Sequence, residues 1–444
     1  MLAITLVWIA GRGAYADERP SLTDAPASER QAIDRFTSSD VWPHRALAAL
    51  RLERYGDPTS LAALTTMCND SVWQVRAMAI RIIRRRGDVV PPEFMTTEAN
   101  PRVIRTALRH HVPFNGERLE TGIRALAKSE SLDDLLLTVE LIGAAQIDDV
   151  MPVAEDALRK VITRMNRTEA GVLAPRLARM TGAPAYRRDY QWRRWLMKYG
   201  RRDGIRSGHA FPPEEPPTGV DGIAALSSEQ FVSLRNYLAN LDERELELVV
   251  CLDTTASMRG ELAQAQGELD AMVGFLDELL GGVRIGLVAY RDRTASFETK
   301  TLDLTNDVVA VRGALWSLSA DEGGDSREAV YRAMRTGVYN MNWTADAEKV
   351  LIVVGDAPPH VGYGSKCADI ARTAARSGGL ITHTVQAKGK PVDHFETIAA
   401  AGGGSCVTLD EHDALVVELA GLTVSGQYRE SFQRFFQTYM DECR

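Results

Sequence analysis

A chain of 444 residues is too long for one compact domain, and 45% hydrophobic with 25% charged residues is ordinary globular composition, which excludes wholesale disorder, a fibrous repeat and a polytopic membrane protein. The net charge of −8 is unevenly spread: residues 21–206 carry 30 basic against 23 acidic side chains, whereas residues 207–444 carry 20 against 35. Opposite balances predict two modules with different surfaces, and neither is basic enough to announce a nucleic-acid interface by itself.

In chain order, residues 1–16 come first. A short apolar run, 2–10, precedes Ala14-Tyr15-Ala16, the small-x-small pattern that signal peptidase cleaves. The run is too brief to span a bilayer, so a signal peptide and an exported protein, periplasmic or extracellular, are expected, with no transmembrane span. Against this, no Lys or Arg precedes the run; if the segment is not a signal, the protein is cytoplasmic. The five cysteines form no CxxC pair, so buried free thiols are expected rather than a metal-thiolate site.

Residues 41–57 and 72–88 align at a spacing of 31, with Val41/Val72, Trp42/Trp73, Arg45/Arg76, Ala46/Ala77, Ala48/Ala79, Arg54/Arg85, Gly56/Gly87 and Asp57/Asp88 coinciding. Small and aliphatic residues recur every three or four positions, the stripe of a buried helix face, and the closing Gly-Asp predicts a helix stop. A weaker copy lies at 100–111 and a further helical pair is predicted across 131–165. Repeats of this length predict stacked helix pairs, because one pair cannot bury its apolar face alone. The spacing and the N/D-x-x-V-R-x-x-A style resemble HEAT-type repeats, which implies an all-α solenoid over residues 28–205. Residues 186–199 are predicted to cap it, with Trp192 and Trp195 in helical register with Tyr199. The run Arg84-Arg85-Arg86 reads as a solvated helix face rather than a phosphate contact, since 27 of the 30 basic residues in this half are Arg.

Residues 206–244 read as a Pro-rich linker followed by a lead-in helix near 227–241. Beyond it, continuous apolar runs at 246–252, 283–290, 349–355 and 380–386 alternate with helical stretches. That pattern predicts a doubly wound, Rossmann-like α/β domain, whose ligands bind beyond the carboxyl ends of the strands. Asp253-x-Thr255-x-Ser257 falls on that edge. So do Asp356, directly after the third run, and a Gly323-Gly324-Asp325-Ser326 loop that opens a helix. One carboxylate and two hydroxyls at alternate positions of a tight loop can converge on a hard cation, Mg²⁺ or else Mn²⁺ or Ca²⁺.

These landmarks resemble the von Willebrand factor A domain with its metal-ion-dependent adhesion site, over residues 245–424. DTTAS stands where the family has DxSxS, and GLVAYRD (286–292), GGDSREAV (323–330) and GDAPPH (355–360) are similar to its later landmarks. The resemblance implies the metal ligands Asp253, Thr255, Ser257, Asp325 and Asp356. Asp325 stands where the family usually has threonine, with Ser326 as the alternative middle ligand. Tyr290, Arg291 and Asp292 are expected to brace loops. Asp292 and His360 are candidate rim residues, His360 with no orienting carboxylate apparent. Gly402-Gly403-Gly404 reads as the turn into the last strand. Residues 425–444 form an amphipathic helix whose Tyr428, Phe432, Phe435, Phe436 and Tyr439 are expected to pack on their own domain.

The resemblance implies a non-enzymatic, cation-dependent adhesion or scaffold protein, in which a carboxylate of an unidentified protein ligand completes the metal shell and the helical repeats add an interaction surface. Two alternatives stand beside it. One is a metal-dependent hydrolase using the same acids, which needs a general base. The other, less expected, is a nucleic-acid-binding solenoid with a regulatory A-like domain.

Overall fold

A computed structural model describes residues 19–443 except 111, 113–115, 129–131, 145–146, 187, 200–219, 221, 244–245, 260–261, 263–274, 277–278, 280–282, 293–294, 322–326, 388–389, 409–420 and 423–427. The expected signal segment and the Pro-rich stretch at 207–219 therefore lie outside the described residues. The chain divides into two compact units: Met1–Ala225 together with Thr438–Arg444, and Leu226–Gln437.

The first unit is all-helical. Its helices are α1 (Ala27–Thr37), α2 (Trp42–Leu52), α3 (Pro58–Met67), α4 (Trp73–Arg85), α5 (Pro92–Thr97), α6 (Pro101–Arg109), α7 (Gly116–Leu126), α8 (Leu132–Ala144), α9 (Ile147–Arg164), α10 (Arg167–Thr181), α11 (Asp189–Tyr199) and α12 (Gly222–Ala225). The repeated stretches become α2 and α4, the weaker copy becomes α6, and α2 packs on α4, α4 on α6 and α6 on α8. Starts are set locally. Asp57 accepts from the Thr59 amide ahead of Pro58, and Asn100 from the Arg102 amide ahead of Pro101, which pairs a side-chain cap with a proline that lacks the N–H a first turn cannot use. Gly87 ends α4 in the left-handed region at φ 81°, as its motif predicts. Gly56 does not: its φ is not positive, and its amide donates to the Pro20 carbonyl instead.

The arginine common to the repeats ties each to the next. Arg45 reaches both Asp70 oxygens at 2.7 and 2.9 Å and the Ser39 and Asp40 carbonyls. One repeat on, Arg76 holds both Glu98 oxygens at 2.7 and 3.1 Å and the Asp70 and Ser71 carbonyls. Arg105, in α6, meets Glu140 of α8 at 2.6 Å. The Arg84–86 run departs from the expected solvated face. Arg84 donates to the His110 carbonyl, Arg85 pairs with Glu53, and buried Arg86 pairs with Asp88 and donates to Ser60. Trp192 is fully buried edge-on to Tyr186 and Trp195, with its indole N–H on the Tyr186 carbonyl, so it closes the apolar cluster that runs from α6 to α11.

The second unit begins with α13 (Ser228–Glu243). Its sheet comprises β1 (Leu246–Asp253), β2 (Val283–Tyr290), β3 (Thr299–Thr305), β4 (Glu348–Gly355), β5 (Ile381–Gln386) and β6 (Gly403–Thr408). The order is β3-β2-β1-β4-β5-β6, parallel throughout except that β3 runs antiparallel to β2. The helices are α14 (Val308–Trp316), α15 (Val330–Tyr339), α16 (Gly364–Gly378) and α17 (Phe395–Ala401). The four central strands match the apolar runs. Strand β3, TKTLDLT, escapes that reading because an edge strand needs no continuous apolar run. Gly337 lets α15 lie close to the sheet, where a Cβ would meet Leu351 and, at 3.2 Å, Cys251 Sγ. The glycine triplet is indeed the entry to β6, with Gly402 ending α17.

Helix α18 (Arg429–Cys443) starts in the second unit. There Phe432, Phe435 and Phe436 are buried with ring centroids 5.1–6.0 Å from that of Phe275, and Tyr428 lies against Tyr237. Packing on its own domain thus holds for these four. Its last residues belong to the first unit, where Tyr439 lies 5.6 Å from Trp42. Cys68, Cys251 and Cys367 are buried and free; Cys406 is half-buried and free.

Candidate metal centre

Because β1 and β4 are parallel neighbours, their carboxyl ends share one edge, and Asp253 at the end of β1 comes beside Asp356 just past β4. After Asp253 the chain turns through Thr255 into a short 3₁₀ turn, Ala256–Met258. Four oxygens then follow one another in a chain. Asp253 Oδ1 accepts from Thr255 Oγ1 at 2.7 Å, Thr255 Oγ1 lies 3.1 Å from Ser257 Oγ, and Ser257 Oγ donates to Asp356 Oδ1 at 3.0 Å. An octahedral Mg²⁺ with ligands at about 2.1 Å has adjacent oxygens about 3 Å apart, so the spacing and hardness of this donor set fit the ion. Asp253 is 0% exposed, Thr255 is buried, Asp356 is half-buried and Ser257 is exposed, so the set opens to solvent on one side.

Asp325 and Ser326 lie outside the described residues. Among the described residues no cluster of three or more His, Cys, Asp or Glu side chains has metal-holding geometry; the set is two carboxylates and two hydroxyls.

The loops beneath are pinned from neighbouring strands. The Thr254 amide and hydroxyl both donate to the Tyr290 carbonyl, at 2.9 and 3.1 Å, and Tyr290 Oη donates to the Val354 carbonyl at 2.9 Å. Burial, then the nearby Asp253, pushes the Tyr290 phenol well above its ordinary pKa, so it stays a neutral donor under the carboxylate. Gly355 completes the cradle. A Cβ there would overlap Tyr290 Oη and come within 3.3 Å of Asp253 Oδ2.

Tyr290 and Arg291 brace loops as expected. Arg291 donates to the Ser319 carbonyl at 2.7 Å and stacks 4.4 Å over Phe297. His360 is a correction: it does have a neighbouring carboxylate, with Nε2 3.4 Å from Asp292 Oδ1. A backbone bridge between Glu328 and Pro359 and the Ala329 amide on the Arg291 carbonyl draw these loops together. The His–Asp pair was not legible because nothing in spacing links residues on separate loops. The role of Gly355 was missed for the same reason.

No protein-family model matches the chain, and no curated protein matches it. Among solved structures, the chain is similar to the conserved hypothetical protein BatB from Bacteroides thetaiotaomicron, at 18% identity and TM-score 0.29, over 44% of this chain and 99% of that one. It is similar to the pilus adhesin SpaC from Lactobacillus rhamnosus GG, at 14% identity and TM-score 0.34, over 43% of this chain and 30% of that one. It is also similar to proximal thread matrix protein 1 from the mussel byssus with a zinc-occupied MIDAS motif, at 10% identity and TM-score 0.32, over 47% of this chain and 52% of that one. The second unit itself is a mostly parallel six-stranded α/β domain, and the first is an all-helical region. No helix among the described residues is long and apolar enough to cross a membrane.

Proposed function

We propose that the α/β unit is a von Willebrand A-type domain that holds a divalent cation, Mg²⁺ or else Mn²⁺ or Ca²⁺, and that the protein is a non-enzymatic, cation-dependent protein-binding or scaffold protein whose helical unit is a HEAT-like interaction surface. The observation that carries this reading is the run of four oxygens, Asp253–Thr255–Ser257–Asp356, spaced 2.7–3.1 Å apart at the carboxyl edge of the sheet. When bound, the cation supplies a Lewis-acidic position for an oxygen of a partner. Asp253 contributes a buried charge, while Thr255 and Ser257 contribute neutral oxygens.

Asp325 is the third acid of the proposed set. Two unit charges about 4 Å apart interact by roughly 4 kcal/mol at an effective dielectric of 20, so an extra carboxylate strengthens cation binding and repels an acidic ligand. The partner oxygen is therefore proposed to be neutral rather than a carboxylate. Titration calorimetry of the full chain with Mg²⁺ and Mn²⁺ tests the reading: Asp253→Asn abolishes binding and Asp325→Thr weakens it. Undiminished cation binding by Asp253→Asn sinks the proposal.

A metal-dependent hydrolase is the second reading, favoured only by the His360–Asp292 pair. Turnover of a nitrophenyl ester or phosphate, lost in both Asp253→Asn and His360→Asn, would support it; the binding reading expects none. Export is proposed as well, with Asp17 as the N-terminus of the native protein. An intact Met1 on protein from the cytosolic fraction refutes it.

A further inference from the structure

Helix α14, VVAVRGALW, carries one charged residue in nine. A surface helix normally turns a polar face to water, and one that is apolar all round is normally buried. Val311 and Leu315 are each 2% exposed, and the helix packs on β2 and β3. The other side is left in solvent, where Val309 is 76% and Trp316 52% exposed. Gly313, between them in sequence, is exposed as well. At about 100° per residue the three fall within about 60° of one another, so they form one stripe along the helix.

Among the described residues nothing calls for a glycine at 313. A helix interior disfavours glycine, the backbone there is not in the left-handed region, and a Cβ would meet no atom within 4 Å. Gly337 is the contrast, since a Cβ there would overlap Leu351. An open notch on an apolar stripe suits the close approach of a second helix. The stripe is also its own complement. Val309 and Trp316 are seven positions apart, and Gly313 lies beside their midpoint. Two copies of α14 laid antiparallel about a twofold axis near Gly313 therefore set each Trp316 against the other copy's Val309 and let the backbones meet at the glycines.

We propose that the stripe of Val309, Gly313 and Trp316 is a self-association surface, through which two copies of this chain pair by antiparallel packing of α14 on α14. Val309 and Trp316 leave roughly 250 Å² exposed in each copy, about a third of what a standard interface takes from each side, so the pairing is weak and concentration-dependent. The excess of 35 acidic over 20 basic residues in 207–444 opposes the approach of two copies, and salt screens that opposition.

Sedimentation velocity of the full chain over a concentration series tests this. A monomer–dimer equilibrium is expected, and it should tighten as salt rises. Gly313→Gln fills the notch while improving helix propensity, so it should weaken pairing about tenfold or more without lowering the melting temperature. Trp316→Ala removes the aromatic anchor and should also weaken pairing about tenfold or more. Gly313→Cys should form a disulfide-linked dimer under mild oxidation that neither the unaltered chain nor Lys160→Cys forms, because the axis brings the two copies of position 313 together. A chain that stays monomeric over its whole soluble range overturns the proposal, and the stripe would then belong to a different protein. A dimer indifferent to both Gly313→Gln and Trp316→Ala also overturns it, as does one that salt dissolves, since charge would then hold it.

Discussion

In the helical unit, Glu29, Glu98, Glu140 and Glu442 each meet an arginine of another helix, whereas at the edge of the sheet Asp253 and Asp356 accept from the hydroxyls of Thr255 and Ser257. The same residue class serves opposite ends. A carboxylate matched to a guanidinium at 2.6–3.2 Å is neutralised by the chain itself and becomes part of the scaffold. A carboxylate matched to a hydroxyl keeps its formal charge, which is what a site for an exchangeable cation needs. Arginines of the basic half are thus built into internal ladders, and the acidic half gathers two of its acids at one edge.

The largest effect should come from breaking a buried pair in the ladder. Arg51 is fully buried against Glu29 and also donates to the Ile223 and Ala224 carbonyls. Removing one member of such a pair leaves a buried charge uncompensated, so Arg51→Ala should cost the helical unit roughly 3–5 kcal/mol in urea unfolding. A loss below about 1 kcal/mol would place this pair with the surface ones.

Acid should separate the units next. Burial, with Arg429 nearby, pushes His383 in β5 down to about 4 from 6.5. A base with a depressed folded pKa binds fewer protons folded than unfolded, so between pH 6.5 and 4 the α/β unit loses stability as pH falls, by about 3 kcal/mol in all. Glu442, held below its ordinary range, costs the helical unit stability only at lower pH. Fluorescence-monitored unfolding across pH should show the α/β unit soften first, and His383→Gln should flatten that slope.

Gly355→Ala addresses the cradle. Overpacking against Tyr290 and Asp253 should cost about 1–3 kcal/mol and weaken Mg²⁺ binding, because the displaced group is itself a proposed ligand. Unchanged calorimetry would show that the cradle yields without moving Asp253. The smallest effect should be Lys160→Ala, which removes an exposed i,i+4 pair with Asp156. About 0.3–0.5 kcal/mol is expected, and a loss above 1 kcal/mol would mean that exposed pairs also carry the helical unit.

Periodicity alone sufficed for the repeated helices and the four central strands, because burial of one helix stripe or of both strand faces is written in neighbouring residues. It also placed Asp253, Thr255, Ser257 and Asp356 on one edge, since parallel strands must end together. It failed for β3, whose alternating threonines and charges satisfy an edge without an apolar run, and for Arg84–86, which a charge count cannot distinguish from a solvated face. The arginine repeat was visible as a pattern, but not that Asp70 and Glu98 are its acceptors.

What the amino-acid sequence determined by itself is therefore local: where helices begin and end, which strands are central, and which side chains stand at their ends. Only the tertiary structure decided that His360 meets Asp292, that Gly355 must lack a Cβ beneath Asp253, and that Glu442 is gripped by Arg81 and His110. These are pairings between residues far apart in the chain, and neither propensity nor spacing acts over such separations. They form because burying a charge or closing a gap stabilises the fold only after the elements have already met.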